Sequence, residues 1–220
     1  GGEDRPRIAL VLPGGGARSA YQVGVLKAIA GWCRPGQPLP FSILCGTSAG
    51  AINAAFLASN ADRYNLAIEE LVGVWRNFQV EQVYRSDVLG MIRSGARWLS
   101  LLSLGWLIAQ KKIRPKSLLN NDPLSELLAH HIDFQRLPKL LEQGHLRALA
   151  ITASSYSTGE HVTFYDSRHP VTPWIRNQRL AQHCNLTHDH LLASSAIPFI
   201  FPAMRLDGPQ GNAYFGDGSM

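Results

Sequence analysis

Cys45-Gly46-Thr47-Ser48-Ala49-Gly50 lies between an apolar run, Phe41-Ser42-Ile43-Leu44, and Ala51-Ile52-Asn53-Ala54-Ala55-Phe56-Leu57, a segment rich in helix formers. The order predicted from this is strand, sharp turn, helix, with G-x-S-x-G in the turn. In that setting the pattern presents a serine hydroxyl as a nucleophile. Glycines at 46 and 50 let the chain turn tightly and let neighbouring elements come close. Ser48 then stands at a helix start, where unpaired N–H groups and the helix dipole favour developing negative charge. A glycine-rich turn without chemistry reads the same over five residues. The strand before it and the helix after it favour the nucleophile elbow, with Gly46, Thr47, Ala49 and Gly50 built around Ser48.

Upstream, Ile8-Ala9-Leu10-Val11-Leu12 is an unbroken apolar run. Such a run predicts a central strand buried on both faces of a parallel sheet. Pro13-Gly14-Gly15-Gly16-Ala17-Arg18 follows, and then a helix over 21–29 with Tyr21, Val25, Leu26 and Ile29 as its apolar residues. Two strand–loop–helix units within the first sixty residues predict an α/β fold with right-handed crossovers. The first glycine loop fits two nucleotide motifs poorly. A dinucleotide fingerprint would need a third glycine where Ser19 stands, and a P-loop would need Gly-Lys-Ser/Thr. What remains is a nest of backbone N–H groups at Gly14, Gly15, Gly16 and Ala17 that holds an oxyanion, with Arg18 adding charge or anchoring the loop.

Downstream, residues 62–95 carry Leu66, Leu71, Val74, Trp75 and Phe78 at helical spacing, which predicts a core-facing stripe. Residues 98–109 form an apolar stretch too short to span a bilayer. Arg93, Arg97, Lys111, Lys112 and Arg114 flank it. A lid or core helix explains this stretch, and so does an interfacial helix making peripheral membrane contact through residues 93–114. Asp122-Pro123 starts a helix, Leu146–Ala153 is a strand, and His161–Tyr165 is its hairpin partner. A short helix is expected at 174–182, a helix at 188–196, and an extended segment at 197–202. The 220 residues are 45% hydrophobic and 17% charged, which predicts one globular domain over 1–220. A net charge of +5 suits an anionic surface or substrate and is too weak to argue nucleic-acid binding. Cys33, Cys45 and Cys184 suit neither a zinc site nor a disulfide framework, so reduced thiols in a cytoplasmic setting are expected. The first six residues read as a remnant or trimmed tail rather than a leader.

A serine needs a base to become a nucleophile. Eight histidines are present, none after Asp217. Asp166 with His169, or Asp189 with His190, would complete a Ser–acid–His order, but both pairs lie in polar stretches without strand-end placement. Asp217 stands in Gly216-Asp217-Gly218 after Tyr214-Phe215. It is either a plain turn aspartate or a base whose flanking backbone is kept thin so that another loop can approach.

The glycine loop at 14–18, Gly46-Thr47-Ser48-Ala49-Gly50 and the late Asp217-Gly218 together resemble the patatin-like phospholipases. Ala193-Ser194-Ser195-Ala196-Ile197-Pro198 with Phe201-Pro202, Asn121-Asp122-Pro123-Leu124, and Thr158-Gly159 before Val162-Thr163-Phe164 resemble further segments of that family, in its order. The resemblance implies a three-layer α/β/α fold with a mainly parallel central sheet. It implies a serine acyl hydrolase acting on (phospho)lipid esters, with no metal or cofactor. Ser48 would be the nucleophile and Asp217 its proton acceptor. Gly14, Gly15 and Gly16 would line the oxyanion loop, and Arg18 would be its basic residue. Ser19 and Ser219 depart from the family's usual glycines. The chain also stops just after the aspartate motif, so a domain incomplete at its C-terminal end is expected. Two rival readings follow: a catalytically silent lipid- or partner-binding module on the same fold, and a nucleotide-binding α/β protein.

Overall fold

The strand leading into Ser48 is β2 (Ile43–Thr47), and the sheet around it decides where everything else lies. The computed structural model describes residues 7–34, 36–85, 122–155, 158–169, 175–176, 179–195, 204–208 and 211–218. Before β2 come β1 (Ala9–Leu12) and α1 (Gly16–Trp32), and after it come α2 (Ala49–Ser59) and α3 (Tyr64–Arg85). The second half holds α4 (Asp122–His131), a 3-10 turn (Phe134–Arg136), α5 (Leu137–Glu142), β3 (Ala148–Ser155) and β4 (His161–Ser167). It ends with β5 (Ile175–Arg176), β6 (Arg179–His183), α6 (His188–Ser195), β7 (Met204–Gly208) and β8 (Gly211–Asp217).

Among the described residues the strands form one eight-stranded sheet flanked by helices, in the order β1-β2-β3-β4-β6-β5, with β8 pairing β3 and β7 pairing β8. β1, β2 and β3 run parallel, as do β4 and β6. Antiparallel ladders join β3 to β4, β3 to β8, β5 to β6 and β7 to β8. The expected α/β architecture is therefore present, and its parallel strands carry the Ser48 turn.

One register matters for function. β2 runs beside β3 as far as Thr47, opposite Thr152. β4 occupies the other edge of β3, reaching Ser154 opposite His161. Where β2 stops, β8 takes over the vacated edge, with Asp217 opposite Ala153. Ser48 and Asp217 are thus delivered to neighbouring positions along one edge of β3, although 169 residues separate them.

β3 shows the alternation that a half-covered strand requires, with Leu149, Ile151, Ala153 and Ser155 buried between less buried neighbours. α2 is buried on nearly every side, from Gly50 and Ala51 through Asn53–Ser59. A helix apolar all round belongs inside a domain, and its small residues let the sheet and α1, α3 and α6 approach it together.

Several sequence expectations are corrected. β1 is the outermost strand among the described residues, not a central one, and Val11 is 67% exposed. An unbroken apolar run of four or five residues does not separate edge from centre. α1 starts at Gly16 rather than near Tyr21, and its inward face is Ser19, Val23 and Leu26, while Tyr21 is 75% exposed. Ser19, which in the sequence is only a departure from a glycine pattern, occupies a core-facing position. Among the described side chains of α3, Tyr64, Ala67, Ile68 and Leu71 are buried and Leu66 faces out, while the side chain of Phe78 lies outside the described set. The helix expected at 174–182 is replaced by β5 and β6; the pairing of β6 with β4 overrides local propensity there. Residues 93–114, including the apolar stretch 98–109, and the extended segment 197–202 lie outside the described residues.

Candidate active site

Ser48 has φ 54° and ψ −129°, a backbone conformation that residues with side chains rarely adopt. Holding it costs roughly 1–3 kcal/mol, which persists only where the surroundings over-determine it. Ser48 is also the residue that caps α2, a place where a serine side chain ordinarily accepts a helix N–H. Here it makes no such cap. Its Oγ instead donates to Asp217 Oδ2 at 2.6 Å, the length of a charge-assisted O–H···O bond. Ser48 is 8% exposed and Asp217 4%, so the pair sits where little water weakens it.

The backbone of Ser48 is held by a relay. Its N–H donates to Ser194 Oγ at 2.9 Å, and Ser194 Oγ donates to the Thr152 carbonyl at 2.6 Å. Ser194 lies at the end of α6, fully buried. It ties the strained residue to β3, the strand against which β8 sets Asp217. In the sequence Ser194 is marked only as a small polar residue at the end of a helix that is apolar there. Ser194→Ala leaves the Ser48 N–H and the Thr152 carbonyl without this partner in a dry environment. The expected result is a loss of about 1–3 kcal/mol in urea unfolding, against less than about 0.5 kcal/mol for a change at an exposed site.

Three glycines make the approach possible. A Cβ on Gly50 would meet the Leu12 carbonyl oxygen, and would lie 2.5 Å from the Pro13 oxygen. That contact sets the end of β1, and hence the start of the Gly14–Gly16 loop, against the first turn of α2. A Cβ on Gly46 would lie 2.5 Å from Ala51 Cα, which keeps the turn tight. A Cβ on Gly218 would meet the Thr152 carbonyl, so the residue after Asp217 has to be bare for β8 to lie this close to β3.

In the glycine loop, Gly15 takes φ 115° and caps α1 without a side chain. Gly16, Ala17 and Arg18 form the first turn of α1, whose N–H groups have no acceptor within the helix. The side-chain carbons of Arg18 lie over Gly15. Ser19 does not distort the turn. Its Oγ donates to the Gly15 carbonyl at 2.9 Å, alongside the Ser19 N–H. Asn53 of α2 fixes the loop from below: its amide donates to the Ser19 carbonyl and to Gln22 Oε1, and its oxygen accepts from Trp75 Nε1 at 2.8 Å. Gln22 in turn donates to the Pro13 carbonyl at 2.8 Å.

Of the two histidine alternatives, Asp166 is engaged by His183 and His190 by Thr187. His183 lies 3.8 Å from Asp166. His190 accepts from the Thr187 N–H and lies near Cys184, and His188 bonds to the Ile132 carbonyl. Cys45 and Cys184 are unsuited as rival nucleophiles: burial pushes the Cys45 thiol up, and burial with the charge of Asp166 pushes Cys184 up to about 12. Among the described residues no three His, Cys, Asp or Glu side chains gather as a metal site would require, and no helix is long and apolar enough to cross a membrane.

A family model described as Patatin-like phospholipase matches residues 10–220. Lysophospholipase nte1 of Aspergillus terreus is 49% identical over 57 residues, which is 25% of this chain and 3% of that protein. The crystal structure of VipD from Legionella pneumophila is similar in fold, with a TM-score of 0.51 at 16% identity, over 98% of this chain and 46% of that one. The ExoU–SpcU complex of Pseudomonas aeruginosa gives a looser likeness, with a TM-score of 0.35 at 19% identity, over 74% of this chain and 33% of that one. The chain therefore spans under half the length of each.

Proposed function

The chain belongs to the patatin-like phospholipase family, and from that premise we propose that it is a serine acyl hydrolase that cleaves acyl esters of (phospho)lipids through Ser48 and Asp217. The observation that carries the proposal is the 2.6 Å bond from Ser48 Oγ to Asp217, made by a strained serine that forgoes its helix cap. A structural serine at that position gains by capping; one held for reaction gains by keeping its hydroxyl on a base.

The steps follow from these residues. Asp217 takes the Ser48 proton as Oγ attacks the ester carbonyl. The oxyanion is stabilised by the N–H groups of the Gly14–Gly16 loop and the first turn of α1, helped by the α1 dipole and by Arg18. Collapse of the tetrahedral species expels the alcohol, which receives the proton from Asp217. A water molecule, deprotonated by Asp217, then attacks the acyl-enzyme and releases the carboxylic acid and Ser48. A carboxylate is a weak base for an alcohol. The scheme therefore relies on burial and on fixed geometry, and both are features of this pair.

The lysophospholipase relative makes a lipid ester the substrate class to test first. The test is reaction with a fluorophosphonate probe followed by peptide mapping. Label on Ser48 is expected. Its absence in folded protein favours the silent binding module on the same fold.

A further inference from the structure

At the end of the sheet away from Ser48, a cavity of about 240 Å³ opens between the α1–β2 connection and the starts of β2 and β3. Ser42, Gly144, His145, Arg147 and Arg168 are among its lining residues. The two arginines are cross-strand partners. The β3–β4 register pairs Ala148 with Ser167, and one step further the Arg168 N–H donates to the Arg147 carbonyl at 2.8 Å. Directly opposed residues of an antiparallel pair share a face with Cβ atoms about 4.5–5.5 Å apart, and like charges so placed repel.

Among the described residues no ion pair reaches Arg147 or Arg168 to relieve that repulsion; Lys27–Glu69, Arg136–Asp62 and His183–Asp166 involve other side chains. The backbone beside the pair is also kept bare. Gly144 takes φ 77°, and a Cβ there would lie 2.8 Å from Arg168 Nη1. Two half-buried arginines that line one cavity, with no counter-charge on them among the described residues, form a receptor for a compact dianion.

We propose that this cavity binds the phosphate group of a small water-soluble ligand, at a site separate from Ser48. A carboxylate carries one charge and two oxygens and satisfies one arginine fork. A phosphate monoester carries up to two charges and three terminal oxygens, and can bridge both forks. The source follows from position, and this step rests on the acyl-hydrolase reading. Ser42 and Ser48 lie at opposite ends of β2, about 20 Å apart at strand rise. A lipid layer presenting an ester to Ser48 leaves the arginine end facing water.

The test measures the thermal midpoint of the protein in inorganic phosphate, and in glycerol 3-phosphate, against sodium chloride of equal ionic strength. A saturable rise specific to phosphate is expected. Arg147→Gln/Arg168→Gln should weaken phosphate binding by about tenfold or more, and in phosphate-free buffer should melt no lower than the parent because a repulsion has been removed. If that variant does not fold, Arg168→Lys keeps the charge and loses the fork, and the same weakening is expected of it. Four results overturn the proposal: no difference between phosphate and chloride, a shift that survives the double substitution, a double variant that folds but melts below the parent in phosphate-free buffer, or co-sedimentation with phosphatidylcholine vesicles containing phosphatidic acid in the absence of any soluble-phosphate effect. Because binding is read without turnover, failure here leaves fluorophosphonate labelling of Ser48 as a separate result.

Discussion

Ser48→Ala and Asp217→Asn are each expected to abolish turnover of a short-chain nitrophenyl ester while the protein stays folded. Removing a nucleophile or its base in a serine hydrolase costs on the order of 10⁴–10⁶-fold in kcat, far beyond the effect of a positional disturbance. Alanine at 48 deletes the attacking oxygen. Asparagine at 217 keeps the shape of the carboxylate and can accept the Ser48 hydroxyl, but it cannot take its proton. The two variants therefore separate chemistry from structure. Ser48→Ala removes the probe target, so fluorophosphonate labelling should vanish. Asp217→Asn keeps the target and should label slowly. Unchanged turnover in either variant would remove Ser48 and Asp217 from the reaction. Loss of turnover with unfolding, read by circular dichroism, would show only that the buried pair holds the fold together.

The legible parts of the fold were those governed by local rules. The turn at Ser48 sits between an apolar strand and a helix of small residues, and both glycines are positions where a Cβ would meet backbone. Asp217 is marked in the sequence by its flanking glycines, and Gly218 is bare because β3 runs against it. What was not legible depended on partners remote in sequence. Nothing local marks β1 as an edge strand, because burial is set by which strands join the sheet. Tyr21 and Val25 are apolar yet face out, whereas Ser19 and Asn53 are polar yet fully buried, because each finds hydrogen-bond partners inside. Ser194 acts through Thr152 and Ser48, 42 and 146 residues away. The opposition of Arg147 and Arg168 appears only once β3 and β4 are in register. The Ser48–Asp217 meeting is of the same kind. It follows from β8 taking the edge of β3 that β2 vacates.

Gly50→Ala is expected to behave in the opposite way to the same substitution at Gly24 or Gly73. All three glycines lie in helices, and intrinsic propensity favours alanine in a helix by roughly 0.5–1 kcal/mol. At Gly24 and Gly73 an added Cβ meets nothing within 4 Å, so each alanine should raise the unfolding free energy measured in urea by about that amount. At Gly50 the Cβ would run into the Leu12 and Pro13 carbonyl oxygens. Neither is the end of a flexible side chain. Leu12 is held in register opposite Gly46, and the Pro13 carbonyl accepts from Gln22. Relief therefore requires β1 and the glycine loop to move away from α2, which is itself packed on nearly every side. Overpacking with room to adjust costs about 1–3 kcal/mol, and a clash between two fixed backbones is expected at or above the top of that range, outweighing the propensity gain. The protein that survives should also lose ester turnover, since the displaced segment is the one read as the oxyanion loop. If Gly50→Ala instead melts with Gly24→Ala and keeps its activity, then β1 does not end against α2. The loop from Gly14 to Gly16 would then have no fixed place beside Ser48.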